Sequence, residues 1–278
     1  MKNAVIDVGS NSVRLLIDGE KFIYNTQLSE GLLKTGYLQK DAVERTLEGI
    51  IECVNLAKSR LADGIKVFAT EAVRSAKNGK EFVDLCKKQG IEIDVIDSVK
   101  EAQIGFLGAY TDGTVAVLDI GGASSELVVG NEKEILYSYS LDVGCVKMRD
   151  MSGDEIELKE YATNKVKEYG TVPSFDKLIV IGGTVTTLCA VAKELAVYDR
   201  KLVHNSVLKY EKIKETVDMI FATDIEKRKD IKGLHIKRIT VAPAGGILLL
   251  AIMDYLKVNK ITVSENDNLE GYVKLNKL

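Results

Sequence analysis

Histidine is nearly missing from this chain. Its 278 residues include two, His204 and His235, which excludes a histidine-rich metal site and argues against a histidine general base. Cysteine is scarce as well: Cys53, Cys86, Cys145 and Cys189 stand far apart, with none of the paired spacings of a zinc or redox site. They read as reduced, buried thiols of a cytoplasmic protein. No apolar run has transmembrane length; the longest, around Ile247–Met253, is bounded by Gly246 and Asp254. The first residues read as a strand rather than a signal peptide. The GxxxxGK[S/T] phosphate loop is missing, which excludes that class of NTPase. A net charge of −3 gives no reason to expect nucleic acid or a membrane surface as a partner. Carboxylates, hydroxyls, backbone amides and arginines are what remain to carry chemistry.

They are concentrated at three corners. Thr114–Gly130 reads as an apolar strand ending in Asp119, a turn of small residues (Gly121, Gly122, Ala123, Ser124, Ser125), then Glu126 and a second strand. Small turn residues leave amide N–H groups exposed, and such a nest binds anions that glycine allows to approach closely. A carboxylate beside an anion nest repels the anion itself. It suits a divalent cation that bridges to a phosphate, magnesium taking hard oxygen ligands. The alternative is an ordinary hairpin with a glycine turn. The chain opens on the same pattern: Asp7, then Gly9, Ser10, Asn11 and Ser12, between Ala4–Ile6 and Val13–Ile17. A third corner, Gly182–Gly183–Thr184, follows the strand Lys177–Ile181 and opens a helix, where amides favour phosphate. That corner is also readable as a close strand–helix turn.

At 46% apolar and 28% charged residues, the composition is that of a globular protein, and its length suits one large or two medium domains. Periodicity predicts short strands at Ala4–Asp7, Ser12–Ile17 and Lys21–Leu28, followed by a helix over Asp41–Ala62. A strand at Lys66–Ala69, a helix at Glu71–Lys88, a strand at Ile91–Ile96 and a helix at Val99–Tyr110 complete one half. The second half repeats the order. Its strands are Val115–Asp119, Glu126–Val129, Glu134–Leu141, Lys177–Ile181 and Ile261–Val263; its helices begin near Glu155, Thr184, Tyr210, Ile239 and Asn268. The predicted fold class is α/β, in two duplicated halves, residues 1–112 and 113–278; this pattern resembles the actin-like ATPase (RNase H-like) superfamily, which implies two such domains with a central cleft.

Within that superfamily the blocks are more specific. DVGSNSVRLLI (Asp7–Ile17), ATEAVRSAKNG (Ala69–Gly79), KEAQIGFLGA (Lys100–Ala109), LDIGGASSEL (Leu118–Leu127), SLDVGCVKM (Ser140–Met148), VIGGTVTTLCAV (Val180–Val191) and LVHNSV (Leu202–Val207) resemble, in order, the Ppx/GppA phosphatase family. The resemblance implies a magnesium-dependent phosphohydrolase that releases terminal phosphate from inorganic polyphosphate or a guanosine polyphosphate (pppGpp). It also implies the short form, without a C-terminal HD-type domain, and a homodimer as the assembly. Carried over residue by residue, Asp7, Asp119 and Glu126 surround magnesium and the attacking water, and Glu101 is the catalytic base. Gly9, Ser10, Asn11, Arg14, Gly121, Gly122, Ser124, Gly183 and Thr184 cradle phosphates, and Arg74 clamps phosphoryl oxygens. The chemistry agrees, since phosphoryl transfer needs positioning and charge neutralisation more than covalent catalysis.

Each assignment has a structural counterpart. Glu101 starts a helix, where the macrodipole favours any acid. Arg74, expected in the first turn of its helix, carries the wrong sign for that dipole, which points it toward an anion. The tract Lys227–Arg238 is either a track for a polyanion or a solvated face. His204 matches a family position that structure alone accounts for. The chain departs from the family at Ala123 (usually Gly), at Gln103 (usually Arg) and in DNLEGYV (Asp267–Val273), which lacks the usual arginine. Two competing functions use the same scaffold: a small-molecule kinase, which needs an acceptor pocket that no block announces, and a non-catalytic nucleotide or polyphosphate sensor.

Overall fold

The computed structural model describes residues 2–278. In chain order the first part runs β1 (Asn3–Val8), β2 (Ser12–Ile17), β3 (Glu20–Asn25), α1 (Leu32–Thr35), α2 (Lys40–Ser59), β4 (Gly64–Ala69), α3 (Glu71–Ser75), α4 (Gly79–Lys88), β5 (Ile93–Val95) and α5 (Ser98–Ala109). It continues with β6 (Val115–Ile120), β7 (Ser125–Gly130), β8 (Ile135–Leu141), α6 (Cys145–Met151), α7 (Glu155–Lys165), β9 (Lys177–Ile181), α8 (Gly183–Ala192) and α9 (Arg200–Val203). The last elements are β10 (Val207–Lys209), α10 (Tyr210–Ala222), α11 (Val241–Leu256), β11 (Lys260–Val263) and α12 (Asn268–Asn276). The chain forms two compact units, Met1–Gly108 with Asn268–Leu278, and Ala109–Asp267. The boundary read from sequence lay at 112/113 and gave the last helix to the second half; here α12 belongs with the first.

The first unit has one sheet, ordered β3-β2-β1-β4-β5, with β1 antiparallel to β2 and parallel to β4. Alternation along β1 sends Ala4, Ile6 and Val8 to one face and Val5 to the other. On the first face lies α2, which buries Ala42, Thr46, Gly49, Ile50, Cys53 and Ala57 at helical spacing. On the second, Leu269 and Tyr272 of α12 and Ile104 of α5 pack against Val5, Leu16, Phe68 and Ile96. That apolar pair, three residues apart, is why α12 docks on this sheet.

The second unit repeats the plan. Its sheet is ordered β10-β11-β9-β6-β7-β8, so β8-β7-β6-β9-β11 reproduces the first order and β10 is an antiparallel addition. The core helix is α11, buried over its whole stretch from Val241 to Met253. Pro243 is tolerated there because first-turn amides have no intrahelical acceptor.

Two local readings needed correction. The helix expected over Glu71–Lys88 is broken into α3 and α4 at Ala76, whose backbone is extended (ψ 135°); Asn78, which opens α4, bonds the backbone of Leu38 in both directions, at 2.8 and 3.0 Å. Arg74 therefore lies in the last turn of a short helix, where a cation suits the dipole, and the wrong-sign argument for it lapses. The helix α6 was not anticipated. Among the described residues all four cysteines are free and buried, and no helix is long and apolar enough to cross a membrane.

Candidate active site

The two hairpins are built alike. Gly9 N–H donates to Ser12 O at 3.0 Å, and Gly121 N–H donates to Ser124 O at 3.0 Å. Each closes a two-residue tip, and in each an aspartate stands two residues before the glycine. Register makes the partners equivalent: Asp7 pairs across the ladder with Arg14, and Asp119 with Glu126. The duplication thus preserves the acid and changes what faces it.

In the first unit that acid is neutralised. Asp7 is 1% exposed and accepts from Arg14 Nε at 3.1 Å and from its Nη2. The tip carbonyls are also used: Asn11 O accepts from Thr26 and Gln27 amides, and Ser10 O from Ser29 N–H. The carboxyl end of β4 adjoins that of β1, with Ala69 paired to Val8, and leads into Thr70 and α3. From α3, Arg74 Nη1 donates to Glu101 Oε2 at 2.9 Å and to Ile96 O at 2.8 Å, and its Nη2 donates to Glu71. Burial opposes the Arg74 charge, but the Glu101 hydrogen bond and charge, with Glu71, outweigh it and lift the guanidinium above the ordinary arginine pKa. Asp7 thus stands near the carboxyl end of β1 with Arg14 opposite it at the start of β2, and Arg74 and Glu101 stand on α3 and α5, the helices that follow β4 and β5; in open α/β sheets ligands bind at this end of the strands.

In the second unit two carboxylates face each other. Asp119 and Glu126 are directly cross-strand, and Glu126 Oε1 accepts from Ser140 Oγ at 2.7 Å. The carbonyls of Gly121 and Gly122 accept the first amides of α6: Cys145 N at 2.9 Å, Val146 N at 2.9 Å and Lys147 N at 3.2 Å. This docking requires Gly144, where a Cβ would fall 2.5 Å from Gly121 O. Ser125 turns inward, donating to Val143 O at 2.8 Å.

The third corner meets the second. At Gly182, φ is +92° and a Cβ would lie 2.7 Å from Asp119 Oδ1. Gly183 opens α8, and Thr184 is buried with its side chain against the Cα of Gly245. Its buried hydroxyl makes no hydrogen bond to a nitrogen or oxygen, and its amide lies in the first turn of α8, where N–H groups lack intrahelical acceptors. Arg238 was hidden in the basic tract: its guanidinium lies against Gly183, so closely that a Cβ there would overlap Nη2. Its only mark in sequence is its place at the end of that tract, beside Lys237 and just before an apolar helix. Arg228 of the same tract is different, spanning carbonyls of Thr223 at 3.0 Å and Ile239 at 3.1 Å. The tract is therefore neither a uniform track nor a uniformly solvated face.

Hard oxygen donors at Asp119 and Glu126, with a cradle at Gly182 that a Cβ would fill, fit a magnesium ion, which takes one or two carboxylates and completes its shell with water and phosphate.

Comparison with known proteins identifies the family. Residues 11–274 match the Ppx/GppA phosphatase family. A bifunctional 3-dehydroquinate synthase/phosphatase of Fusobacterium nucleatum is 31% identical over 97% of this chain, which spans 46% of that protein's length. Exopolyphosphatase 2 of Mycobacterium tuberculosis is 29% identical, with 96% of each chain covered. The crystal structure of the Aquifex aeolicus Ppx/GppA family member superposes with a TM-score of 0.86 at 29% identity, covering 100% of this chain and 98% of that one. The chain belongs to the Ppx/GppA phosphatase family.

Proposed function

We propose that this protein is a magnesium-dependent phosphohydrolase that releases terminal phosphate from inorganic polyphosphate or a guanosine polyphosphate. The observation that carries the reading is the Asp119–Glu126 carboxylate pair beside the glycine corner, in a hairpin whose duplicate pairs its aspartate with arginine instead. An acid pair suits a cation, whereas an acid–arginine pair does not need one.

Asp119 and Glu126 would hold magnesium, while in the first unit Asp7 holds Arg14 beside its own glycine corner. When bound, the ion supplies charge neutralisation at the transferring phosphoryl group. The amides of Ser10 and Asn11, of Gly122 and Ser124, and of Gly183 and Thr184 would orient phosphate oxygens, whereas Gly9 and Gly121, whose amides close the hairpin tips, would serve by letting the anion approach. Arg238, a cation held at the start of α8 against the sign of its dipole, is favoured there when an anion shares the corner. Glu101 would accept the proton of the attacking water, with Arg74, which bonds its carboxylate, aligning it and taking a phosphoryl oxygen.

The test is phosphate release from polyphosphate, pppGpp and a nucleoside triphosphate, each with magnesium and with EDTA. Magnesium-dependent release from either of the first two is expected, reduced roughly 10²–10⁴-fold by Glu101→Gln. ATP consumption that requires a hydroxyl acceptor would establish a kinase instead. Tight binding without release would establish a sensor.

A further inference from the structure

The last helix, α12, grips α5 at three points, and α5 carries Glu101. At the start of α5, Lys100 Nζ reaches Asp94 Oδ2 at 2.8 Å and stands 5.6 Å from the centre of the Tyr272 ring. The Tyr272 hydroxyl donates to the same Asp94 oxygen at 3.2 Å. In the middle the helices touch backbone to backbone. A Cβ at Gly271 would overlap Ile104 O, and one at Gly105 would fall 3.0 Å from Asn268 Oδ1. At the end, Lys274 Nζ donates to Leu107 O at 2.7 Å and to Gly108 O at 3.3 Å, capping carbonyls that lack intrahelical donors.

The gripping helix is itself anchored. Tyr272 stacks on Phe68 of β4, centroids 4.6 Å apart and planes 9° from parallel. Glu270 pairs with Lys21 of β3 at 2.9 Å, with side chains only 17% and 9% exposed. Movement of α12 is therefore resisted by two strands of the sheet, while α5 is bound to α12 along its length.

We propose that α12 is the positioning element for Glu101, with Gly271, Tyr272 and Lys274 setting where α5 lies and hence where the carboxylate meets Arg74. This rests on the reading of Glu101 as proton acceptor. A catalytic group displaced by about 1 Å can lose on the order of 10²-fold in rate, so a helix contact with no room for a Cβ is a sensitive place to set that position.

A double-mutant cycle on the full chain tests it, with phosphate release from polyphosphate under magnesium as the readout. Gly271→Ala forces the helices apart; Lys274→Met keeps the aliphatic stem and removes the donor, so the test survives should Gly271→Ala fail to fold. Each folded variant is expected to lower kcat roughly 10-fold or more with KM within about two-fold, while retaining helical circular dichroism and cooperative unfolding. In a Glu101→Gln background the same changes are expected to alter the residual rate less than about two-fold, since they act through the removed carboxylate. Equal losses in both backgrounds, or folded variants with parental kcat, overturn the positioning role while Glu101→Gln remains impaired. Parental turnover in Glu101→Gln alone overturns the reading of Glu101, and this proposal with it.

Discussion

Gly182 backs directly onto the Asp119 carboxylate, with no room for a Cβ between them: one at this position would lie 2.7 Å from Oδ1. The turn from β9 into α8 thereby sets the space in which Asp119 acts. A backbone at φ +92° also disfavours any L side chain. Gly182→Ala is expected to lower stability by about 1–3 kcal/mol and to lose turnover beyond what unfolding explains. Urea titration beside phosphate release at a temperature where the variant is folded checks this. Parental turnover in the folded variant would mean that Asp119 tolerates displacement.

Asp119→Asn removes a hard anionic donor and keeps the shape. Turnover is expected to fall at least about 10²-fold, with the magnesium concentration for half-maximal rate raised. A parental magnesium titration would take Asp119 out of the metal site.

Arg74 joins Glu71, Glu101 and the Ile96 carbonyl through one planar fork. An ammonium cannot copy that geometry. Arg74→Ala is expected to weaken substrate binding and turnover together, and Arg74→Lys to restore only part. Full rescue by lysine, measured as kcat and KM separately, would reduce the role to diffuse electrostatics.

Gly144 lets the start of α6 dock on the second corner, where a Cβ would meet Gly121 O at 2.5 Å and Gly122 O at 2.6 Å. Gly144→Ala is expected to destabilise the fold by about 1–3 kcal/mol by overpacking. An unchanged denaturation midpoint would show that the corner and α6 separate freely.

Burial pushes the Cys53 and Cys86 thiols up from 9.0 to about 12, with Glu52 adding to the shift at Cys53. The folded protein then keeps protons that the unfolded chain releases, so stability is full below about pH 9 and falls as pH rises toward about 12. Denaturant titrations from pH 8 upward are expected to show this decline, and Cys86→Ala to flatten it. A decline as steep as the parent's in that variant would assign the alkaline loss elsewhere.

The sequence alone determined the repeated strand–acid–glycine–strand hairpins, the α/β class and the family, because short-range patterns encode them: alternation for strands, small residues for tight turns, and ordered blocks for kinship. Local pattern also carried the position of Asp7, Asp119, Glu126 and Glu101 in their elements. It could not carry what faces each of them. The pairing of Asp7 with Arg14 and of Asp119 with Glu126 is a matter of ladder register. That of Arg74 with Glu101 joins two helices 27 positions apart in the chain. Arg238 comes to Gly183 from 55 residues away in sequence, and α12 returns to the first unit because Leu269 and Tyr272 find their apolar partners on β1 and β4. Burial of apolar surface and backbone close approach made those choices, and both depend on distant residues that no local window contains.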